Sequence, residues 1–87
     1  MFQIFVNPKL VSQLPETMKD KLFTLIQEMK LTGPVRGNWP NYSKLRKNIH
    51  HCHLNKRGKP TYVAVWENQG HDIIKITYVG TREKAPY

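Results

Sequence analysis

The segment "NIHHCHL", residues 48–54, contains three histidines and the only cysteine of this 87-residue chain within four consecutive positions. Histidine exchanges protons near neutral pH, because its ordinary pKa is about 6.5. Alternation along a strand would place His51 and His53 on one face, with His50 and Cys52 on the other. His51 and His53 are therefore the candidates for proton transfer. Cys52, on the opposite face, is most simply a small buried apolar residue.

A metal site is the first alternative for this cluster. Structural zinc takes four Cys or His ligands, and catalytic zinc takes three protein ligands. One strand face offers two histidines, so a third ligand would have to come from His71, in a predicted turn, or from one of six carboxylates. The chain has no second cysteine to form a C-x-x-C half site. We therefore expect neither a metal site nor a cofactor.

Metal-free RNA cleavage is a reaction that two such histidines support. It needs an acceptor for the 2′-hydroxyl proton, a donor for the leaving 5′-oxygen and cations that stabilise the charge on phosphorus. His51 and His53, among arginine and lysine side chains, would meet these needs. The residues alone leave a second interpretation open, in which both histidines are exposed polar residues on the solvent face of a sheet.

The charge of the chain predicts a polyanionic partner. Fourteen Lys and Arg face six Asp and Glu, which gives a formal net charge of +8. No acidic residue lies between Pro34 and Pro60, where seven basic residues are found: Arg36, Lys44, Arg46, Lys47, Lys56, Arg57 and Lys59. Nucleic acid is the partner that this block favours, with the last six as RNA-binding candidates. A solvated basic face that keeps the protein soluble is the alternative.

The hydrophobic pattern predicts an α+β domain. Residues 2–6 alternate as a strand, and a stripe at steps of three and four predicts a helix from Pro15 to Gly33. Residues 32–43 read as a loop, and three further strands are predicted at 47–54, 61–67 and 73–79. This β-α-β-β-β order predicts one domain over residues 1–87. We expect a small antiparallel sheet with one main helix packed on one face.

The bulk sequence indicates a soluble cytoplasmic protein. A single cysteine excludes an intrachain disulfide, so nothing favours an oxidising compartment. The apolar start of the chain meets Asn7 and Pro8 too early for a signal peptide or a membrane span. We therefore expect no contact with a membrane.

The element order and the closing segment "ITYVGTREKAPY", residues 76–87, resemble the RelE/ParE superfamily of bacterial toxins, in particular its RelE-like branch. The closing segment has an apolar strand, a glycine, an arginine with neighbouring charges and a tyrosine shortly after. The resemblance implies a RelE-like fold and a ribosome-dependent mRNA endoribonuclease that inhibits translation without a metal. It also implies a cognate antitoxin, with an acidic or helical segment that wraps the domain, encoded next door.

The resemblance also implies roles for individual residues. His51 and His53 fall where the RelE branch has catalytic lysines, and histidine is the better general base at neutral pH. Arg82 falls at the arginine that stabilises the transition state, and Tyr87 at a C-terminal tyrosine that stacks on a base or positions the nucleophile. Lys84 would neutralise a phosphate.

One position departs from the family pattern. RelE-type toxins usually have an arginine early in the third strand, where this chain has Tyr62. One phosphate contact is therefore missing unless Arg57 or Lys59, from the preceding turn, replaces it.

Two other functions stay open on sequence grounds. One is a ParE-like toxin that inhibits DNA gyrase without cutting RNA, and the other is a non-catalytic RNA-binding module.

Overall fold

A computed structural model describes residues 1–87, which form five strands, two α-helices and one 3₁₀ turn. In chain order these are β1 (Gln3–Val6), α1 (Pro8–Ser12), α2 (Glu16–Thr32), β2 (Ser43–Arg46), β3 (Ile49–His53), β4 (Tyr62–Gly70), β5 (Ile73–Thr81) and the 3₁₀ turn (Arg82–Lys84). None of the helices combines the length and the apolar character that a membrane crossing requires.

The strands form one sheet in the order β1-β5-β4-β3-β2. The predicted α+β class, with a small sheet and one main helix, is confirmed. The sheet is mixed rather than wholly antiparallel, because β1 pairs in parallel with β5 while the other three pairings are antiparallel. Alternation of apolar residues is the same for either direction, so the sequence pattern did not reveal this pairing.

Strand β2 is an element that the sequence analysis missed. Residues 32–43 were predicted as a loop and the next strand as 47–54, but the chain forms β2 over Ser43–Arg46 before β3 begins at Ile49. Only Leu45 is partly buried in this edge strand. A four-residue edge strand with one apolar position lacks the alternation that identifies a strand.

The core lies between α2 and one face of the sheet. The predicted helical stripe is confirmed, since its residues Met18, Leu22, Leu25 and Met29 are buried. They pack with residues from three strands: Cys52, Ala64, Trp66, Ile74 and Ile76.

Cys52 is fully buried, as predicted, and this burial raises the pKa of its thiol to about 12. Its thiol is therefore protonated and unreactive at neutral pH.

His50 is buried on the same side of the sheet as α2. Its ring stacks on the indole of Trp66 at 5.9 Å between centroids, with only 3° between the planes. The Tyr42 ring stacks on both His50 and Trp66. Its hydroxyl forms a 2.7 Å hydrogen bond with His50 Nδ1. The His50 side chain is thus part of the packed interior and lies on the opposite side of the sheet from its open face.

The pKa of His50 gives the fold a pH dependence. Burial lowers this pKa, and the Lys44 ammonium lowers it further. The unfolded chain therefore binds a proton at His50 at a higher pH than the folded chain does. We expect the free energy of unfolding to fall as the pH drops below about 6.5, the unfolded pKa of histidine.

Urea unfolding at a series of pH values measures this effect. The control is His50→Gln, whose amide oxygen can still accept from Tyr42 but does not titrate. The pH slope below about 6.5 should be smaller in this variant. An unchanged slope would show that His50 is not its source. Some slope should remain, because burial lowers the pKa of His53 as well.

Candidate active site

The open face of the sheet, opposite α2, carries the predicted pair of histidines. In the β3–β4 ladder His51 lies opposite Val65 and His53 opposite Val63. The two imidazole rings are 6.3 Å apart between centroids, with 67° between their planes. The predicted division of the histidine cluster between the two sheet faces is confirmed, because Cys52 lies in the core on the other side.

The end of the chain returns over these histidines. After the 3₁₀ turn, the Tyr87 ring meets the His51 ring edge to face, with 4.8 Å between centroids and 61° between planes. The backbone of the turn is held beside the start of β4, since Arg82 donates its N–H to the carbonyl of Thr61, the residue before that strand, over 2.8 Å. His51 is left only 8% exposed, whereas Tyr87 remains about half exposed.

Arg82 sets the local electrostatics. The pKa of His53 is lowered, first by burial, then by the positive charge of Arg82 and by the neighbouring His51. His53 is therefore a neutral proton acceptor at physiological pH. Burial raises the pKa of Tyr87 although Arg82 opposes this shift, so the phenol keeps its proton. The site combines neutral imidazole, phenol and guanidinium groups.

Ser43 is a site residue that the sequence analysis missed. It lies directly opposite His51 in the β2–β3 ladder. The Nδ1 atom of His51 is 3.1 Å from the Ser43 hydroxyl oxygen and 3.3 Å from the Ser43 carbonyl oxygen. No signal in the sequence pointed to this contact, because it depends on the register of a strand whose pattern predicted a loop.

The predicted RNA-binding residues are distributed over several surfaces. Arg46 lies in a groove of about 230 Å³ that also contains Tyr87 and Val65. Lys59 and Arg82 line one hollow of about 450 Å³ beside the β3–β4 turn. The acidic Glu83 lines the same hollow, and Arg82 is close enough to His53 to lower its pKa.

The remaining basic residues lie elsewhere. Lys56 and Arg57 line a larger groove of about 730 Å³ near α2, together with Trp39. Lys84 lines a separate hollow of about 270 Å³ together with Leu10 of α1. Lys44 pairs opposite His50 and so lies on the α2 side of the sheet, and Lys47 is exposed in the turn between β2 and β3. The basic block is therefore not one continuous surface.

No group of three or more His, Cys, Asp or Glu side chains is arranged to hold a metal ion. The chemistry that the site can perform with its own residues is proton transfer beside bound anions. The neutral imidazole of His53 can accept a proton, the Tyr87 phenol can donate one, and Arg82 can bind a phosphate through its planar fork of N–H groups.

No protein-family model matches the chain, and its sequence matches no curated protein. Its structure is similar to the YoeB-YefM complex from Staphylococcus aureus, with a TM-score of 0.66, 16% identity, and coverage of 94% of this chain and 98% of that chain. It is also similar to a YoeB dimer from Staphylococcus aureus, with a TM-score of 0.64, 19% identity, and coverage of 88% and 92%.

A heterotetrameric YoeB-YefM toxin-antitoxin complex from Staphylococcus aureus matches with a TM-score of 0.63, 18% identity, and coverage of 90% and 93%. The likeness therefore extends over nearly the whole of each chain. The predicted α+β fold, a small sheet with one main helix, is therefore confirmed. At these identities the likeness concerns the fold.

Proposed function

We propose that this protein is the toxin of a bacterial toxin–antitoxin pair and cuts mRNA on the ribosome without a metal. The observation that carries the proposal is the meeting of His51 with Tyr87, 4.8 Å apart, next to His53 and Arg82 on the open face of the sheet. A fold shared with solved YoeB toxins supports the same conclusion.

The proposed reaction is transfer of the scissile phosphate to the neighbouring 2′-oxygen. His51 or His53 accepts the 2′-hydroxyl proton as the new P–O bond forms. The bond to the 5′-oxygen breaks, and a protonated group of the site returns a proton to that oxygen. The products are a 2′,3′-cyclic phosphate and a free 5′-hydroxyl.

Binding of the phosphate falls to the cations at the edges of the site. Arg82 presents N–H groups that match the oxygens of the phosphate and stabilise the charge that develops there. Lys59 lies in the same hollow as Arg82, whereas Arg57 lines the groove near α2. Lys59 is therefore the better placed replacement for the family arginine that Tyr62 displaces. The half-exposed Tyr87 ring offers a surface on which a base can stack.

The proposal includes an antitoxin partner. The net charge of +8 favours an acidic partner segment that crosses the basic surfaces. The solved YoeB-YefM complexes show a toxin of this fold bound to its antitoxin. We infer that this chain has such a partner, with an acidic or helical segment that covers the histidine face.

A translation extract tests the function. Purified protein is added to ribosomes that are translating a defined message, and the cut ends are mapped. We expect cuts within the ribosomal A site, in the presence of EDTA at a concentration that leaves the ribosomes intact. Inhibition of DNA supercoiling without cuts would support a gyrase-directed toxin instead. Binding to RNA without cuts would support a non-catalytic RNA-binding module.

Lys59→Ala should weaken the binding of message because Lys59 shares a hollow with Arg82. We expect KM to rise about threefold to tenfold. The slope of log binding constant against log salt concentration should become shallower by about one. Lys44→Ala is the matched control, because this lysine lies on the α2 side of the sheet. Equal effects of both substitutions would contradict the placement of the phosphate beside Lys59.

A further inference from the structure

His51 is held on two sides, and the two contacts differ in kind. The Tyr87 ring covers one part of the imidazole at 4.8 Å and forms no hydrogen bond with it. Ser43 contacts Nδ1 with both its hydroxyl oxygen, at 3.1 Å, and its carbonyl oxygen, at 3.3 Å. Ser43 is thus the residue that hydrogen-bonds the ring and can decide which nitrogen carries the proton.

The carbonyl contact favours one tautomer. A neutral imidazole has one N–H group and one lone pair, and a carbonyl oxygen can only accept a hydrogen bond. With the proton on Nδ1, the ring donates to both oxygen atoms of Ser43. With the proton on Nε2, the Ser43 hydroxyl could donate to the Nδ1 lone pair, but that lone pair would also face the carbonyl oxygen at 3.3 Å, which is repulsive. The Nδ1–H form is therefore the one that fits.

The other nitrogen of the ring is free. No protein group hydrogen-bonds Nε2 of His51, and the structure has no buried side-chain nitrogen or oxygen without a partner. Nε2 therefore keeps contact with solvent although the residue as a whole is 8% exposed. In the Nδ1–H form, this solvent-accessible atom carries the lone pair and can accept a proton from a bound molecule.

We propose, resting on the function above, that Ser43 is a positioning residue that holds His51 in the Nδ1–H form, so that Nε2 accepts the 2′-hydroxyl proton. In the step, Nε2 takes the proton and the imidazole becomes doubly protonated. The Nδ1–H group stays hydrogen-bonded to Ser43, whose two oxygens stabilise the positive ring. Ser43 touches neither the substrate nor the reacting atoms in this scheme.

Nitrogen NMR of the ¹⁵N-labelled full chain tests the tautomer without any RNA. At a pH near 8, where histidine is neutral, we expect His51 to show Nδ1–H as its main form. In Ser43→Ala the carbonyl contact remains and the hydroxyl, which could donate to Nδ1 in the Nε2–H form, is lost, so Nδ1–H should stay the main form. A main Nε2–H form in the wild-type protein would overturn the proposal, whatever the protein does to RNA.

Cleavage kinetics test the consequence. Ser43→Ala should lower kcat about tenfold with little change in KM, because the doubly protonated ring formed in the step loses the hydroxyl oxygen that accepts from Nδ1–H. Ser43→Thr, which keeps the hydroxyl and suits a strand, should recover most of the rate. The matched control is Ser12→Ala, the same change in α1, where the hydroxyl bonds to the Lys9 carbonyl. An unchanged kcat in Ser43→Ala would overturn the proposal.

The two measurements separate this inference from the function on which it rests. If the protein cuts no message while His51 is in the Nδ1–H form, the proposed ribonuclease activity fails and the Ser43 contact stands. If it cuts the message while His51 is in the Nε2–H form, the activity stands and the role of Ser43 fails.

Discussion

Replacing His51 and His53 together by alanine should abolish the toxicity of the overexpressed protein and restore growth. We expect mRNA cleavage to fall by about 10³-fold or more, because general acid–base groups each contribute about 10²-fold to 10⁴-fold. The cause is loss of the proton acceptors on the open face, where the two rings lie 6.3 Å apart. Growth after induction and single-turnover cleavage on the ribosome measure the two effects.

The matched control for this double variant is His71→Asn. His71 is exposed in the β4–β5 turn with a φ of 52°, a conformation that asparagine tolerates. It should remain as toxic as the wild type. Circular dichroism and antitoxin binding must show that the double variant folds. Full toxicity of a folded double variant would contradict the catalytic assignment while leaving the fold untouched.

The pH profile gives the same assignment a second readout. A neutral histidine base loses activity as it becomes protonated, so the rate should decline as the pH drops below about 6. The pKa of His53 is lowered by burial, Arg82 and His51. If His53 is the base, the cleavage rate should therefore decline at a more acidic pH. A rate that does not change between pH about 7.5 and about 5 would exclude a histidine base.

Arg82→Ala should have the second large effect, a loss of about 10²-fold to 10³-fold in kcat. A positioned donor to a developing oxyanion is worth about this much. Arg82→Lys should recover only part of the rate, because an ammonium lacks the planar fork that matches a phosphate. The measurement is single-turnover cleavage at saturating protein, together with growth on overexpression.

A titration of the free protein supports the interpretation of this variant. Arg82 is one cause of the lowered pKa of His53, so Arg82→Ala should raise that pKa part of the way toward its usual value. Burial, the larger cause, remains. The matched control is Arg57→Ala, which removes an arginine from the groove near α2 and should change neither kcat nor the pKa of His53. Equal losses from both arginines would show that general charge, not Arg82, drives catalysis.

The local pattern of the chain revealed most of the elements. Alternating apolar residues indicated β1, runs of β-prone residues between turns indicated β4 and β5, and the stripe from Met18 to Met29 indicated α2 with its buried face. The split of the histidine cluster followed from the same rule. These features depend on residues within one or two turns of a helix or a few positions of a strand, which is why periodicity predicts them.

The sequence by itself thus determined the α+β class, the buried position of Cys52 and the strand face on which His51 and His53 lie. Only the tertiary structure decided that β1 runs parallel to β5 and that Ser43 meets His51. It also decided which lysines lie beside Arg82 and brought Tyr87 onto His51. Such contacts depend on strand register and on the path of the chain between distant residues, and no short-range pattern of side chains encodes them.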